Sequence, residues 1–145
     1  MTDSESLPIS TDTSDNELKD ILGKTRKIAV VGLSPKEQRD SNRVARYLLE
    51  KGYDIIPVNP GQREILGKKC YKSLSDIPGQ IDIVNIFLNP SRVPPVVDQA
   101  ITSGVEVVWM QLGIVDKKSA EKARNEGIRV VMDRCIKQEY ERLMA

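Results

Sequence analysis

Gly32-Leu33-Ser34 follows the apolar run Lys27-Ile28-Ala29-Val30-Val31, and about one βα unit later Pro57-Val58 runs into Asn59-Pro60. A β-branched run that ends in Gly-x-Ser reads as a buried parallel strand opening onto a turn that can hold a phosphate. Gly32 lets the backbone pass close to a phosphate, Ser34 can donate to it, and Lys36, Arg39 and Arg43 lie within reach of a diphosphate. The glycine fingerprint is incomplete. Counted from Gly32, G-x-G-x-x-G needs glycines at 34 and 37, where this chain has Ser34 and Glu37. A structural βα turn that happens to carry glycine therefore stays open as an alternative. At the tip of the second strand a dinucleotide dehydrogenase places an acidic residue to read ribose, whereas this chain has Asn59-Pro60, which also reads as a plain turn.

Other chemistry is narrowed by what the composition lacks. The chain has no histidine, which removes Ser-His-Asp and Cys-His catalysis, imidazole metal ligation and a phosphohistidine intermediate. Its two cysteines, Cys70 and Cys135, stand 65 positions apart and fit neither a zinc site nor a disulfide framework. Cys135 follows Asp133-Arg134 at the start of a helical segment, a place where a thiol can be activated, but a small buried side chain is the plainer reading. Gln111, at a strand tip, is a ligand candidate because a buried amide needs partners. The single tryptophan, Trp109, reads as a core aromatic. A net charge of +1 gives no electrostatic case for nucleic acid or an anionic membrane. No apolar run reaches the ~18 residues of a membrane span, and the acidic, Ser/Thr-rich start is unlike a secretory signal. The expected compartment is the cytoplasm.

These residues need a frame to bring them together. At 145 residues, 39% hydrophobic and 30% charged, the chain has the size and composition of one globular domain. Residues 1–13 are expected to form a flexible acidic tail and 14–145 the folded domain. Ser14-Asp15-Asn16-Glu17 fits a capping box for a helix through Leu22 that stops at Gly23. Apolar strands read at 27–31, 54–58, 81–87, 105–110 and 128–132, with a helix over 41–51 and a last one from Ile136 to Met144. Gly52, Gly104 and Gly127 each stand between a helix end and a strand, where a left-handed C′ residue turns the chain back to the sheet. The strands are continuous rather than alternating, as when helices cover both faces. The pattern predicts a doubly wound, Rossmann-like α/β domain of about five parallel strands in three layers. The expected strand order is 3-2-1-4-5, with the crevice between strands 1 and 4. The segment 61–80 is irregular and reads as a short helix or a flap over the ligand.

Read at the strand tips alone, the unusual residues cluster: Gly32-Leu33-Ser34, Asn59-Pro60, Leu88-Asn89-Pro90, Gln111-Leu112-Gly113 and Asp133-Arg134-Cys135. From about Ser14 onward the chain resembles the small stand-alone coenzyme A-binding proteins, relatives of the CoA-binding domain of the succinyl-CoA synthetase α-subunit and of ADP-forming acyl-CoA synthetases. The resemblance rests on Val31-Gly32-Leu33-Ser34 with Arg39 and Ser41, Gly52-Tyr53, Pro57-Val58-Asn59-Pro60, Gly67 with Tyr71, Asp82, Phe87, Val107 through Gly113 and Asp133-Arg134-Cys135. It implies that the Gly32–Ser34 turn and the following helix hold the CoA diphosphate. Val58, Asn59 and Pro60, with Phe87, Leu88 and Asn89, would line the adenosine side, and Gln111 and Gly113 the pantetheine crevice. A basic residue, Lys36, Arg39 or Arg43 and then Lys68 or Lys69, would meet the 3′-phosphate. The larger synthetases also carry a catalytic phosphohistidine, so with no histidine here their reaction is not implied. The leading expectation is a binding module for CoA or an acyl-CoA without catalysis of its own, acting alone, as a homodimer or with a partner protein. Three alternatives stand beside it: a thiol or redox protein in which Cys135 exchanges with the CoA thiol, an NAD(P)-binding oxidoreductase, and a pure scaffold whose crevice is vestigial.

Overall fold

The computed structural model describes residues 13–145, so nearly all of the expected tail lies outside the described residues. Helix α1 (Asp15–Lys24) is capped by Ser14, whose hydroxyl accepts the Glu17 amide at 3.1 Å. It runs through Gly23 instead of stopping there. Its end is set by Thr25, whose hydroxyl donates to the Ile21 carbonyl at 2.8 Å. Strand β1 (Lys27–Val31), helix α2 (Asp40–Glu50) and strand β2 (Asp54–Val58) form the first βαβ unit. A hairpin, β3 (Glu64–Ile65) with β4 (Lys68–Lys69), follows, and then a 3-10 turn at Leu74–Asp76. Leu66 and Gly67, both at positive φ, make the two-residue hairpin turn. The segment 61–80 is thus a hairpin and a turn, with no α-helix in it. Strand β5 (Ile83–Ile86), helix α3 (Val93–Ser103), strand β6 (Val107–Met110), helix α4 (Lys117–Asn125), strand β7 (Arg129–Val131) and helix α5 (Ile136–Leu143) complete the fold.

Five parallel strands lie in the order β2-β1-β5-β6-β7, an α/β Rossmann-like sheet flanked by five helices. This corrects the expected order: the third main strand, β5, pairs with β1 and not outside β2. The switch point therefore lies between β1 and β5. The reason is the missing crossover helix after β2. Tyr71 returns to β2 as a parallel bridge with Val58, after which the chain passes to the sheet's other face, where Leu74 and Ile81 are buried. The Asp82 carboxylate then accepts the amides of Arg26 and Lys27 at 2.8 and 2.9 Å, pinning the entry to β5 against β1.

One face of the sheet buries α1, α2 and α5, through Leu18, Ile21, Val44, Leu48 and Ile136. The other buries α3 and α4, through Val97, Ala100, Ala120 and Ala123. The four-residue strands β5 and β6 are buried throughout, as their continuous apolar runs require. Gly52, Gly104 and Gly127 all take positive φ after their helices, as their spacing predicts. Trp109 is fully buried, and its indole N–H donates to the Arg134 carbonyl at 2.8 Å.

Candidate functional site at the carboxyl edge of the sheet

At the switch point the helices leave the sheet in opposite directions, and three crevices open beyond the strand tips. All three are lined by Phe87, the residue after β5. The first, of 480 Å³, lies over Gly32, Ser34, Arg39, Asp40 and Ser41. The second, of 400 Å³, lies between Asn59-Pro60 and the start of α3, and reaches Lys72 and Arg92. The third, of 580 Å³, runs past Arg43, Asn89, Gln111 and Gly113 to Cys135.

The loop after β1 is held by its own polar groups. Ser41, in the first turn of α2, accepts the Ser34 amide at 3.0 Å, and Asn42 donates to the Ser34 carbonyl at 2.9 Å. The Ser34 hydroxyl accepts the Lys36 amide at 3.1 Å and keeps its own hydrogen to donate. The Arg39 guanidinium, just before α2, has no partner among the described residues. A helix N-terminus, a hydroxyl donor and an unpaired cation beside one crevice suit an anion.

Gly32 sits at φ +89°, and its N–H donates to the Val58 carbonyl at 2.9 Å. A Cβ there would collide with the Phe87 carbonyl oxygen and stand 3.0 Å from the Leu88 side chain. The close approach that demands glycine is thus between the tips of β1 and β5. Asn59 has both ends of its amide in use: Nδ2 donates to the Leu33 carbonyl at 2.9 Å, and Oδ1 accepts the Gly61 amide at 2.8 Å. It latches the β2 tip to the loop after β1. Cys70 supports the same tip, its thiol donating to the Asn59 carbonyl at 3.4 Å, and burial pushes that thiol's pKa up.

Most of the candidates read from the sequence converge here. Gly32, Ser34, Arg39 and Ser41 line the first crevice, and Val58, Asn59, Pro60, Phe87 and Leu88 the second. Arg43, Asn89, Gln111 and Gly113 line the third. Leu33 is fully buried beneath the loop, and Lys36 stands exposed on it outside the three linings. Arg43 is engaged by the Asp40 carboxylate and the Gln38 carbonyl. Lys68 and Lys69 do not line the crevices, and the Lys69 ammonium lies 5.1 Å from the Tyr71 ring centre. Sequence reasoning missed Lys72 and Arg92, which line the second crevice and have no partner among the described residues. Lys72 stands on irregular chain and Arg92 at the end of a 3-10 turn, Pro90–Arg92, that leads into α3, where periodicity carries no signal.

The third crevice has a polar floor. Asn85, fully buried on β5, donates from Nδ2 to Gln111 Oε1 at 3.2 Å, and the Ile136 amide donates to the same oxygen at 3.3 Å. Asp133, at φ +60°, accepts the Gly113 amide at 2.6 Å and ties the tips of β6 and β7 together. Among the described residues there is no cluster of three potential metal ligands, and no helix is long and apolar enough to cross a membrane.

Crevices at the switch point of a parallel sheet are where open α/β folds place their ligands, and here an anion-suited turn and basic side chains lie beside them. Residues 26–141 match the family described as CoA binding domain, and the chain belongs to that family. It is 41% identical over 121 residues to the uncharacterised Bacillus subtilis protein YneT, covering 83% of this chain and 90% of that one. It is 33% identical over 122 residues to the alpha subunit of ADP-forming acetate–CoA ligase I from Pyrococcus furiosus, covering 73% of this chain but 26% of the subunit. A solved structure of a Pyrococcus horikoshii OT3 protein covers 100% of both chains at 41% identity with a TM-score of 0.90. The chain thus spans about a quarter of the ligase subunit it matches.

Proposed function

We propose that this protein binds CoA or an acyl-CoA along the carboxyl edge of its sheet, as a carrier, sensor or subunit-like partner without catalysis of its own. The observation that carries this reading is the meeting of three crevices at Phe87, one for each part of the ligand. The diphosphate lies over Ser34, Arg39 and the N-terminus of α2, the adenosine between Asn59-Pro60 and α3, and the pantetheine arm along Gln111 and Gly113. Of the basic residues near the adenosine, Lys72 and Arg92 are the ones placed to meet a 3′-phosphate, since both line that crevice with their charges unpaired among the described residues. An NAD reading is disfavoured because the β2 tip carries the Asn59 amide, already latched at both ends, where a ribose-reading carboxylate belongs.

Calorimetric titration with CoA, dephospho-CoA, ADP and NAD tests it. The expected order is CoA tightest, with dephospho-CoA about tenfold weaker through loss of a charge-assisted phosphate contact. Lys72→Ala with Arg92→Ala should bring CoA down to the dephospho-CoA level. Preference for NAD, or no binding to any of the four, overturns the proposal.

A further inference from the structure

We infer that the third crevice takes an uncharged, apolar acyl group on the ligand's sulfur, so that the protein prefers an apolar acyl-CoA to free CoA. This deepens the CoA reading above and rests on it. The crevice is the largest of the three, at 580 Å³, although the pantetheine arm assigned to it is the thinnest part of the ligand. Its two sides also differ in chemistry. One is formed by the first turns of α2 and α5, with Asp40, Arg43, Lys137 and Gln138. The other is formed by the chain that leaves β5 and β6, with Leu88, Pro90, Leu112 and Ile114. Leu88 and Ile114 pack against the core of the opposite sheet face from α2 and α5. An arm that carries amides along its length and an alkyl chain at its end matches a polar wall facing an apolar one.

Leu112 is the side chain left uncovered. It is 57% exposed, one of two large hydrophobic side chains that stand exposed among the described residues. A single exposed leucine is ordinary on a protein surface. This one is held in place. The Gln111 carbonyl accepts the Ile114 amide at 2.8 Å, which closes a turn over residues 111–114. Gly113, at φ +84°, donates its amide to the Asp133 carboxylate at 2.6 Å and fixes the turn from the side of β7. The corner of a turn usually carries proline or a polar residue. Here the corner presents leucine between Gln111 and Gly113, which line the path of the arm, in a crevice that meets the other two at Phe87.

The polar wall decides against an acyl group with a charge of its own. Arg43 is engaged by the Asp40 carboxylate and the Gln38 carbonyl. The Lys137 ammonium stands 3.5 Å from the Glu141 carboxylate and 5.1 Å from the centre of the Tyr47 ring. Both cations of the lining are therefore already paired, and a succinyl or malonyl carboxylate would enter beside Asp40 with nothing new to meet. An alkyl chain needs no such partner. Each methylene taken fully out of water strengthens binding about fourfold, and an open crevice covers only part of the chain.

The test is calorimetric titration of the full chain with CoA, butyryl-CoA, hexanoyl-CoA and succinyl-CoA. Hexanoyl-CoA should bind about tenfold tighter than CoA, with butyryl-CoA between them and succinyl-CoA no tighter than CoA. The readout for variants is the ratio of hexanoyl-CoA to CoA affinity within the same protein. Leu112→Ser should bring that ratio close to one, and the exposure of the side chain makes it a change the fold tolerates. Met144→Ser, the other exposed apolar residue, lies at the far end of α5 and should keep the tenfold ratio. Hexanoyl-CoA binding no tighter than CoA, succinyl-CoA binding tightest, or a ratio that survives Leu112→Ser overturns the inference. Tight binding of all four without an acyl preference sinks this inference alone, and no binding of any of them sinks the CoA reading as well.

Discussion

The two ends of the same sheet are built in opposite ways. At the amino end the protein satisfies itself: Asp82 accepts two backbone amides of the entry to β1, and the Gln80 amide donates to the Gly104 carbonyl at 3.1 Å. Tyr53, at the entry to β2, donates its hydroxyl to the Leu22 carbonyl at 2.5 Å. At the carboxyl end, Arg39, Lys72 and Arg92 stand exposed beside the crevices without partners among the described residues. Buried polar groups are nearly always paired, and the groups at the amino end are paired within the protein, whereas the carboxyl end keeps exposed basic side chains beside its crevices. The comparison teaches that the residues that tie the sheet together and those that line its crevices are different residues on one scaffold.

Mutations can break that division or sharpen it. Gly32 is where the two roles coincide, and Gly32→Ala should do the most damage. It forces an L side chain to φ +89° and into the Phe87 carbonyl, for a loss of about 3 kcal/mol in a denaturant melt. Gly104→Ala, at φ +70° with nothing within 4 Å, should lose only about 1 kcal/mol. Equal losses for the two would show that conformation alone, and not the contact with β5, requires glycine at 32.

Asp82→Ala should come next, at about 2 kcal/mol, because it strands two amides at the start of β1. CoA affinity measured on the surviving folded fraction should not change. Arg39→Ala and Ser34→Ala should show the reverse: about tenfold weaker CoA by calorimetry, with an unfolding midpoint within experimental scatter of the parent. Unchanged affinity in both would remove the diphosphate from that crevice.

The smallest effect belongs to pH at the amino end. Burial pushes the Tyr53 phenol up to about 12 from its ordinary 10.0. The fold therefore favours the protonated form. That contribution is fully present below pH 10, and it is lost as the pH climbs from there through 12. Tyr53→Phe should lose about 1 kcal/mol at neutral pH with its hydrogen bond, and should then show a flatter stability curve between pH 10 and 12 than the parent. Parallel curves for the two proteins would show that other groups set the alkaline limit.

The strands and helices were legible because their signals are local. Val/Ile runs marked β1, β2, β5, β6 and β7, and glycines at 52, 104 and 127 marked the helix ends. Gly23 was misleading because Thr25 caps the helix two residues later, a side-chain bond with no periodic signature. Of the site, the tip residues were legible, since in a parallel sheet every strand ends on the same edge. Lys72 and Arg92 were not. They reach the crevice only because the chain after β2 folds as a hairpin and a 3-10 turn and α3 starts beside it.

What the amino-acid sequence by itself determined is the class of fold, the set of strand tips and the absence of histidine chemistry, all properties of residue type and spacing. The tertiary structure alone decided the strand order, and with it the switch point between β1 and β5. Right-handed crossover rules admit both orders, and the contact that selects one, Asp82 against the Arg26 and Lys27 amides, joins residues more than fifty positions apart. The same holds for Gln111. Its residue type made it a candidate, but the orientation of its amide depends on Ile136, brought to it by the packing of α5 on the sheet.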